Sequence, residues 1–231
     1  MVRIPLLAAA SILVVLASLA ARAGDEPPVS VKPENSGATA DAAADLLNPP
    51  GSDRYGPKVD WRTVPPWQQM SFFGIRSKGR VFIYVVDCSG SMSDDGRLIR
   101  AKRELRRSIM NLRFPQRYQV IFYNDRPLSM PGHIPQSADM NIKTTTMNWL
   151  RSIEADGETD PRGAMSMALS VKPDAVFLLS DGEFPEGSAE SIAKSNTRKV
   201  PIHCIDLSGG AAGSQLQRIA KDSGGDYTLQ P

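Results

Sequence analysis

From Arg80 onward, short apolar runs alternate with longer amphipathic segments, and this alternation restricts the chain to few architectures. The runs "VFIYVVD", "YQVIFYND", "DAVFLLSD" and "PIHCIDL" are largely apolar, and "DYTL" reads as a short last strand. Strands read this way when helices cover both faces of a parallel sheet, because neither face then meets water. The first intervening segment carries Leu98, Ala101, Leu105, Ile109 and Leu112 at spacings of three and four, the stripe of a helix packed on a sheet. Further helices are expected near residues 138–155, 188–195 and 214–222, and after "DGETDP", where Asp160 suits an N-cap and Pro161 the first helical position. Residues 126–137 hold three prolines and a glycine and make a turn with at most a short edge strand. The expected fold is α/β: an open, mostly parallel sheet of about six strands with helices on both faces.

The N-terminal part obeys different rules. Arg3, an apolar stretch from Ile4 to Ala20 and then Ala21-Arg22-Ala23 have the form of a secretory signal with a small-x-small cleavage site, so residues 1–23 are read as an export signal. An uncleaved anchor is the alternative, and membrane association is expected only in that case. Cleavage would remove Arg3 and Arg22 and leave 25 basic against 25 acidic residues. A near-neutral exported chain gives no reason to expect nucleic acid as partner. Residues 24–66 hold eight of the 18 prolines and are read as a disordered Pro/Ala-rich tether. The aromatics Trp61, Trp67, Phe72 and Phe73 are expected to lie against the folded domain, placed at residues 67–231. Cys88 and Cys204 are expected to be buried thiols, with a bridge possible only if their strands come close.

Two strands end in aspartate, at Asp87 and Asp181. In an open α/β sheet the ligand crevice lies at the carboxyl ends of the strands, so both carboxylates belong on one rim. The turn after Asp87 presents Ser89 and Ser91, and a later loop presents Thr159. Two carboxylates and three hydroxyls form an all-oxygen donor set suited to a hard divalent cation: Mg²⁺ first, with Mn²⁺ or Ca²⁺ as alternatives. Taken singly, each residue has a purely structural role available, as a strand-end cap or a turn former.

Asp87-Cys88-Ser89-Gly90-Ser91, followed by Thr159 and Asp181 in order, resembles the metal-ion-dependent adhesion site of von Willebrand factor type A domains. The stretch "FFGIRSKGRVFIYVVDCSGSM" is similar to exported bacterial members. The resemblance covers residues 67–231 and implies a Rossmann-like sheet of order 3-2-1-4-5-6. It also implies Ser89 and Ser91 as direct metal ligands, Thr159 as a direct or state-dependent one, and Asp87 and Asp181 acting through water. The implied function is an exported, periplasmic, cell-surface or secreted protein-interaction or adhesion module, not an enzyme, whose metal takes a partner's Asp or Glu. Glu158 stands where such domains often have glycine, and is a possible modulator of the site. No counterpart of a C-terminal switching helix follows "DYTLQP", so a mostly fixed module is expected.

Two other classes are weighed. A phosphatase built on Asp87 would need a second aspartate where Ser89 stands, and a serine hydrolase would need His133 or His203 beside a serine, although one falls in a turn and the other on a core strand. Electrostatic docking is the stronger alternative: Arg97, Arg100, Arg103 and Arg107, with Lys102 and Arg106, lie on one helix with a single acid, Glu104. Such a face would grip an anionic envelope polymer or membrane surface, unless it is simply solvated.

Overall fold

A computed structural model describes residues 59–182, 184–210 and 213–230. The export signal and the tether up to residue 58 lie outside the described residues. The chain begins with a hairpin of β1 (Gln69–Phe72) and β2 (Ile75–Lys78), antiparallel and separate from the main sheet. It continues through β3 (Val81–Asp87), α1 (Arg97–Asn111), β4 (Arg117–Tyr123), β5 (Pro127–Ser129), β6 (Gln136–Ser137) and α2 (Met140–Arg151). The second half comprises α3 (Arg162–Ser170), β7 (Ala175–Ser180), α4 (Ser188–Ser195), β8 (Ile202–Asp206), α5 (Gly213–Ser223) and β9 (Tyr227–Leu229). The main sheet runs β5-β4-β3-β7-β8-β9, with short β6 also paired to β4. Every pairing along β4-β3-β7-β8-β9 is parallel, and β5 and β6 run antiparallel to β4. This is the Rossmann-like order that the family resemblance implied.

Alternate residues of each strand feed two cores. Phe82, Tyr84 and Val86 of β3 join Leu98, Ala101, Leu105 and Ile109 of α1 in one layer. Ile83 and Val85 face the layer made with Ala164, Met165 and Ala168 of α3 and Leu216 and Ile219 of α5. Cys88 belongs to the first layer and Cys204 to the second, and both are buried free thiols. Buried tyrosine hydroxyls find partners, Tyr84 with Ser108 and Tyr118 with Thr146, each at 2.8 Å, which offsets their desolvation.

The hairpin covers the first layer: Met70, Phe72, Phe73 and Ile75 are buried, with Phe72 edge-on to Tyr84 and Phe177. Trp67 is 47% exposed and does not share in this cover. Gln69 Nε2 donates to the carbonyls of Trp61 and Val64, so the contacts of the fold begin ahead of residue 67. The third helix opens as expected: Pro161 already has helical dihedrals (φ -77°, ψ -13°), and Asp160 accepts the Arg162 N–H as an N-cap side chain does while also clasping the Arg162 guanidinium.

Gly225 sets the approach of β9 to β8. A Cβ there would meet the Ile202 carbonyl oxygen at 2.1 Å, a backbone atom that cannot rotate aside. Gly225→Ala is expected to destabilise the fold by about 2 kcal/mol or more, read as a drop of roughly 5 °C in the unfolding midpoint. An unchanged midpoint would show that β9 shifts freely.

Candidate metal centre

Parallel pairing in register places Val86 beside Leu179 and leaves Asp87 and Asp181 on the same rim. Asp87 is fully buried. Its Oδ1 accepts the Ser89 N–H at 2.8 Å, and its Oδ2 accepts Ser180 Oγ at 2.7 Å and the Tyr123 hydroxyl at 3.4 Å. Burial pushes this carboxyl up to about 6, against the lowering effect of the Ser180 and Ser89 hydrogen bonds.

The Ser89 turn sets its two hydroxyls side by side, and that of Ser91 reaches Asp181. Ser89 Oγ lies 3.2 Å from Ser91 Oγ, and Ser91 Oγ donates to Asp181 Oδ1 at 2.8 Å. Four of the five sequence-predicted residues, Asp87, Ser89, Ser91 and Asp181, are thus linked by hydrogen bonds within the cluster. Thr159 reaches the same place by another route: a Cβ on Gly182, the residue after Asp181, would come 3.4 Å from Thr159 Oγ1.

The loop carrying Thr159 is stitched to both neighbouring turns. Asp156 N donates to Cys88 O at 2.9 Å, Gly90 N to Gly157 O at 3.0 Å, and Asp160 N to Asn124 O at 3.1 Å. Asn124 Nδ2 holds the Asp156 carbonyl and Asp125 Oδ1 accepts the Glu158 N–H. Gly157 has φ +79°, and a side chain there would strike Asp125 Oδ2 at 2.6 Å. Glycine therefore lets the loop cross tightly over the end of β4. The Glu158 side chain is exposed and only its backbone is held, so this acid adds charge to the rim without joining the cluster.

Arg97 departs from the expected anionic-partner face. Its Nη1 donates to Asp181 Oδ2 at 2.8 Å, and a second contact reaches Asp95 at 3.5 Å. Arg100 is half-buried, with its guanidinium on the Gln230 carbonyl. Only Arg103 and Arg107 of the four named arginines are exposed. The correction has a simple cause: the first turn of α1 begins at the acidic rim, so its arginines fold inward onto acceptors. Sequence reading also missed Ser180, Tyr123, Asn124 and Asp125. The signal lay in polar residues at strand ends, "YND" after β4 and the serine before Asp181.

The all-oxygen donors fit a hard divalent cation. Asp87 is a buried carboxylate in contact with no cationic side chain, and Asp181 leans on one guanidinium, so the cluster favours added positive charge. Among the described residues no group of three or more His, Cys, Asp or Glu side chains is placed to hold a metal ion. An Asp-x-Ser turn alone does not make such a centre. Asp206 accepts the Ser208 N–H at 2.7 Å in the same manner at the end of β8, with Tyr227 on its other oxygen. His203 stacks on Phe177 three residues below the rim, and His133 sits exposed in a turn.

A scan of protein-family models and a search of curated proteins gave no match. Among solved structures, a von Willebrand factor type A protein from Catenulispora acidiphila superposes with TM-score 0.61 at 17% identity, over 67% of this chain and 39% of that one. An aerotolerance-related membrane protein from Bacteroides fragilis matches with TM-score 0.54 and 19% identity, over 66% and 92%. Proximal thread matrix protein 1 from the mussel byssus, with a zinc-occupied MIDAS motif, matches with TM-score 0.51 and 20% identity, over 64% and 41%. The match spans less than half of the first and third of these proteins. The chain therefore has the von Willebrand factor type A fold.

Asp87 gives a pH prediction. Its folded value, about 6, exceeds the unfolded value near 3.8, so the folded state keeps a proton that the unfolded chain has released. This group thus destabilises the metal-free fold progressively from about pH 4 to pH 6, by at most about 3 kcal/mol once the shift is complete. Against the opposite contribution of Asp160 and Glu190, whose carboxyls are held low, metal-free parent should gain stability relative to Asp87→Asn chain on going from pH 7 to pH 4.5. Parallel pH profiles for parent and variant in urea unfolding would contradict this.

Proposed function

We propose that this chain is an exported interaction module, not an enzyme, in which Ser89, Ser91 and Thr159 bind a divalent cation directly and Asp87 and Asp181 support it through water. One observation carries the reading: Ser91 bridges the two strand ends, linking Ser89 to Asp181 across the rim. The fold and the zinc-occupied motif of the mussel protein support a divalent site, and Mg²⁺ is the ion that the donors favour. When bound, the cation supplies a positive electrophilic position for a partner's Asp or Glu. The Bacteroides neighbour is a membrane protein, which supports a setting at a membrane, and the export signal read in residues 1–23 is the ground for placing the domain outside the cytoplasm.

The chain's own residues prepare that position. Ser180 and Tyr123 fix Asp87 in one rotamer, and the Asn124–Asp125 pair holds the loop of Thr159, so little ordering remains when ligand arrives. Arg97 acts as an internal counter-ion for Asp181, neutralising it before metal binds and competing with metal afterwards. The acidic rim, with Asp94, Asp95, Asp156 and Glu158 exposed, concentrates cations and disfavours acidic partners in the metal-free state.

Thermal unfolding of metal-stripped chain, titrated with Mg²⁺, Mn²⁺ and Ca²⁺, tests this directly. The midpoint should rise by roughly 5–10 °C at metal near a hundred times Kd, and Asp87→Ala, Ser89→Ala chain should show no rise. Arg97→Gln should lower the metal-free midpoint yet enlarge the metal-dependent rise. An equal rise in the double variant, or none in the parent at millimolar metal, removes the basis of the proposal.

A further inference from the structure

The two ends of the sheet differ in chemistry. Loops after the parallel strands form the acidic rim, whereas at the opposite end exposed Arg80, Arg113, Arg117, Lys172, Arg198 and Lys199 outnumber exposed Asp139, Asp174 and Asp222. Large apolar side chains gather at that basic end as well. Of the seven exposed large hydrophobics among the described residues, Phe114 (81%), Met140 (62%), Ile134 (54%), Trp67 (47%) and Met110 (41%) lie there. Hydrogen bonds hold their segments together: Lys143 Nζ donates to the carbonyls of Met110 and Leu112, Ala138 N to Gln116 O, and Arg117 to Pro135 O. Gln116 Nε2 also donates to Gln69 O, which ties in the hairpin beside Trp67. The described chain starts at this same end, since Gly79 N bonds Gln68 O just before β3 begins.

We propose that this end docks on an anionic lipid surface, with Phe114, Met110, Ile134 and Met140 dipping into the interface and Arg107 and Arg113 meeting headgroups. Apolar tips from three separate segments, set among arginines, suit a fluid interface that accepts side chains at any lateral position. Charge orders the molecule in the same sense: an anionic leaflet attracts the basic end and repels the acidic rim, which leaves the candidate metal centre facing outward. About 20 Å of β3 separates the two ends, beyond the Debye length of physiological salt, so the two faces act independently. The inference does not depend on metal binding.

Amide hydrogen exchange of the full chain on vesicles tests it, because the readout is local and unaffected by how residues 1–58 associate with lipid. On phosphatidylglycerol-containing vesicles, amides of residues 112–117 and 131–139 should slow by about tenfold or more relative to phosphatidylcholine vesicles, with residues 156–160 unchanged. The slowing should vanish in about 0.5 M salt and in Arg107→Glu, Arg113→Glu chain. Phe114→Ser, at a site too exposed to affect the core, should weaken it without altering the unfolding midpoint. Equal protection on both lipids, none on either, protection centred on the rim, or protection by soluble poly-glutamate but not by vesicles would each overturn the proposal.

Discussion

Parallel pairing of β3 with β7 is the constraint from which the site follows. It brings two strands that are far apart in sequence, each followed by a turn rich in hydroxyls and carboxylates, to one rim. Asp87 is the pivot of that rim. Its carboxylate is buried and accepts hydrogen bonds from Ser180 on β7, Tyr123 on β4 and the backbone of Ser89 in the following turn, all outside its own strand. An interior carboxylate is tolerated only when hydrogen-bonded or charge-compensated, so the sheet, the neighbouring strands and the turn must all be in place for the cluster to exist.

The same logic explains how the fold separates two kinds of surface. Strand ends that share one direction put all the following turns on one side and all the preceding turns on the other. Asp87, Asp181 and Asp206 at strand ends fall on one side and Arg80 and Arg117 at strand starts on the other, so a chain with nearly balanced charge gains a difference between its ends, although Asp174 and Asp226 precede strands. Arg97 is the exception that joins these themes. It begins α1 at the acidic rim and is drawn onto Asp181.

Much of this was legible in the sequence because burial on both faces of a parallel sheet leaves a strong signature. The apolar runs located β3, β4, β7 and β8, and the spacing of Leu98, Leu105 and Ile109 located α1. Asp87, Ser89, Ser91 and Asp181 were identifiable by their place after such runs. The residues that escaped notice work across elements. Tyr123 reads as one more apolar strand residue until its hydroxyl is seen on Asp87, and Ser180 as part of a strand until its Oγ is. Arg97 reads as one of a basic series, since the sequence holds no sign that the helix starts within reach of Asp181. The hairpin of β1 and β2 was recognisable as an aromatic cover but not as a pair of strands, because four-residue strands carry little periodicity.

The central claim is that oxygen donors from β3, from the loop of Thr159 and from the end of β7 converge on one cation. Paramagnetic broadening by substoichiometric Mn²⁺ in the amide spectrum of the isotopically labelled chain tests it most directly. The account predicts broadening centred on Ser89, Ser91, Thr159 and Gly182 and fading along β3 toward Val81. Broadening centred instead on exposed carboxylates such as Asp94, Asp222 and Glu190, with Ser89 and Thr159 sharp, would contradict it.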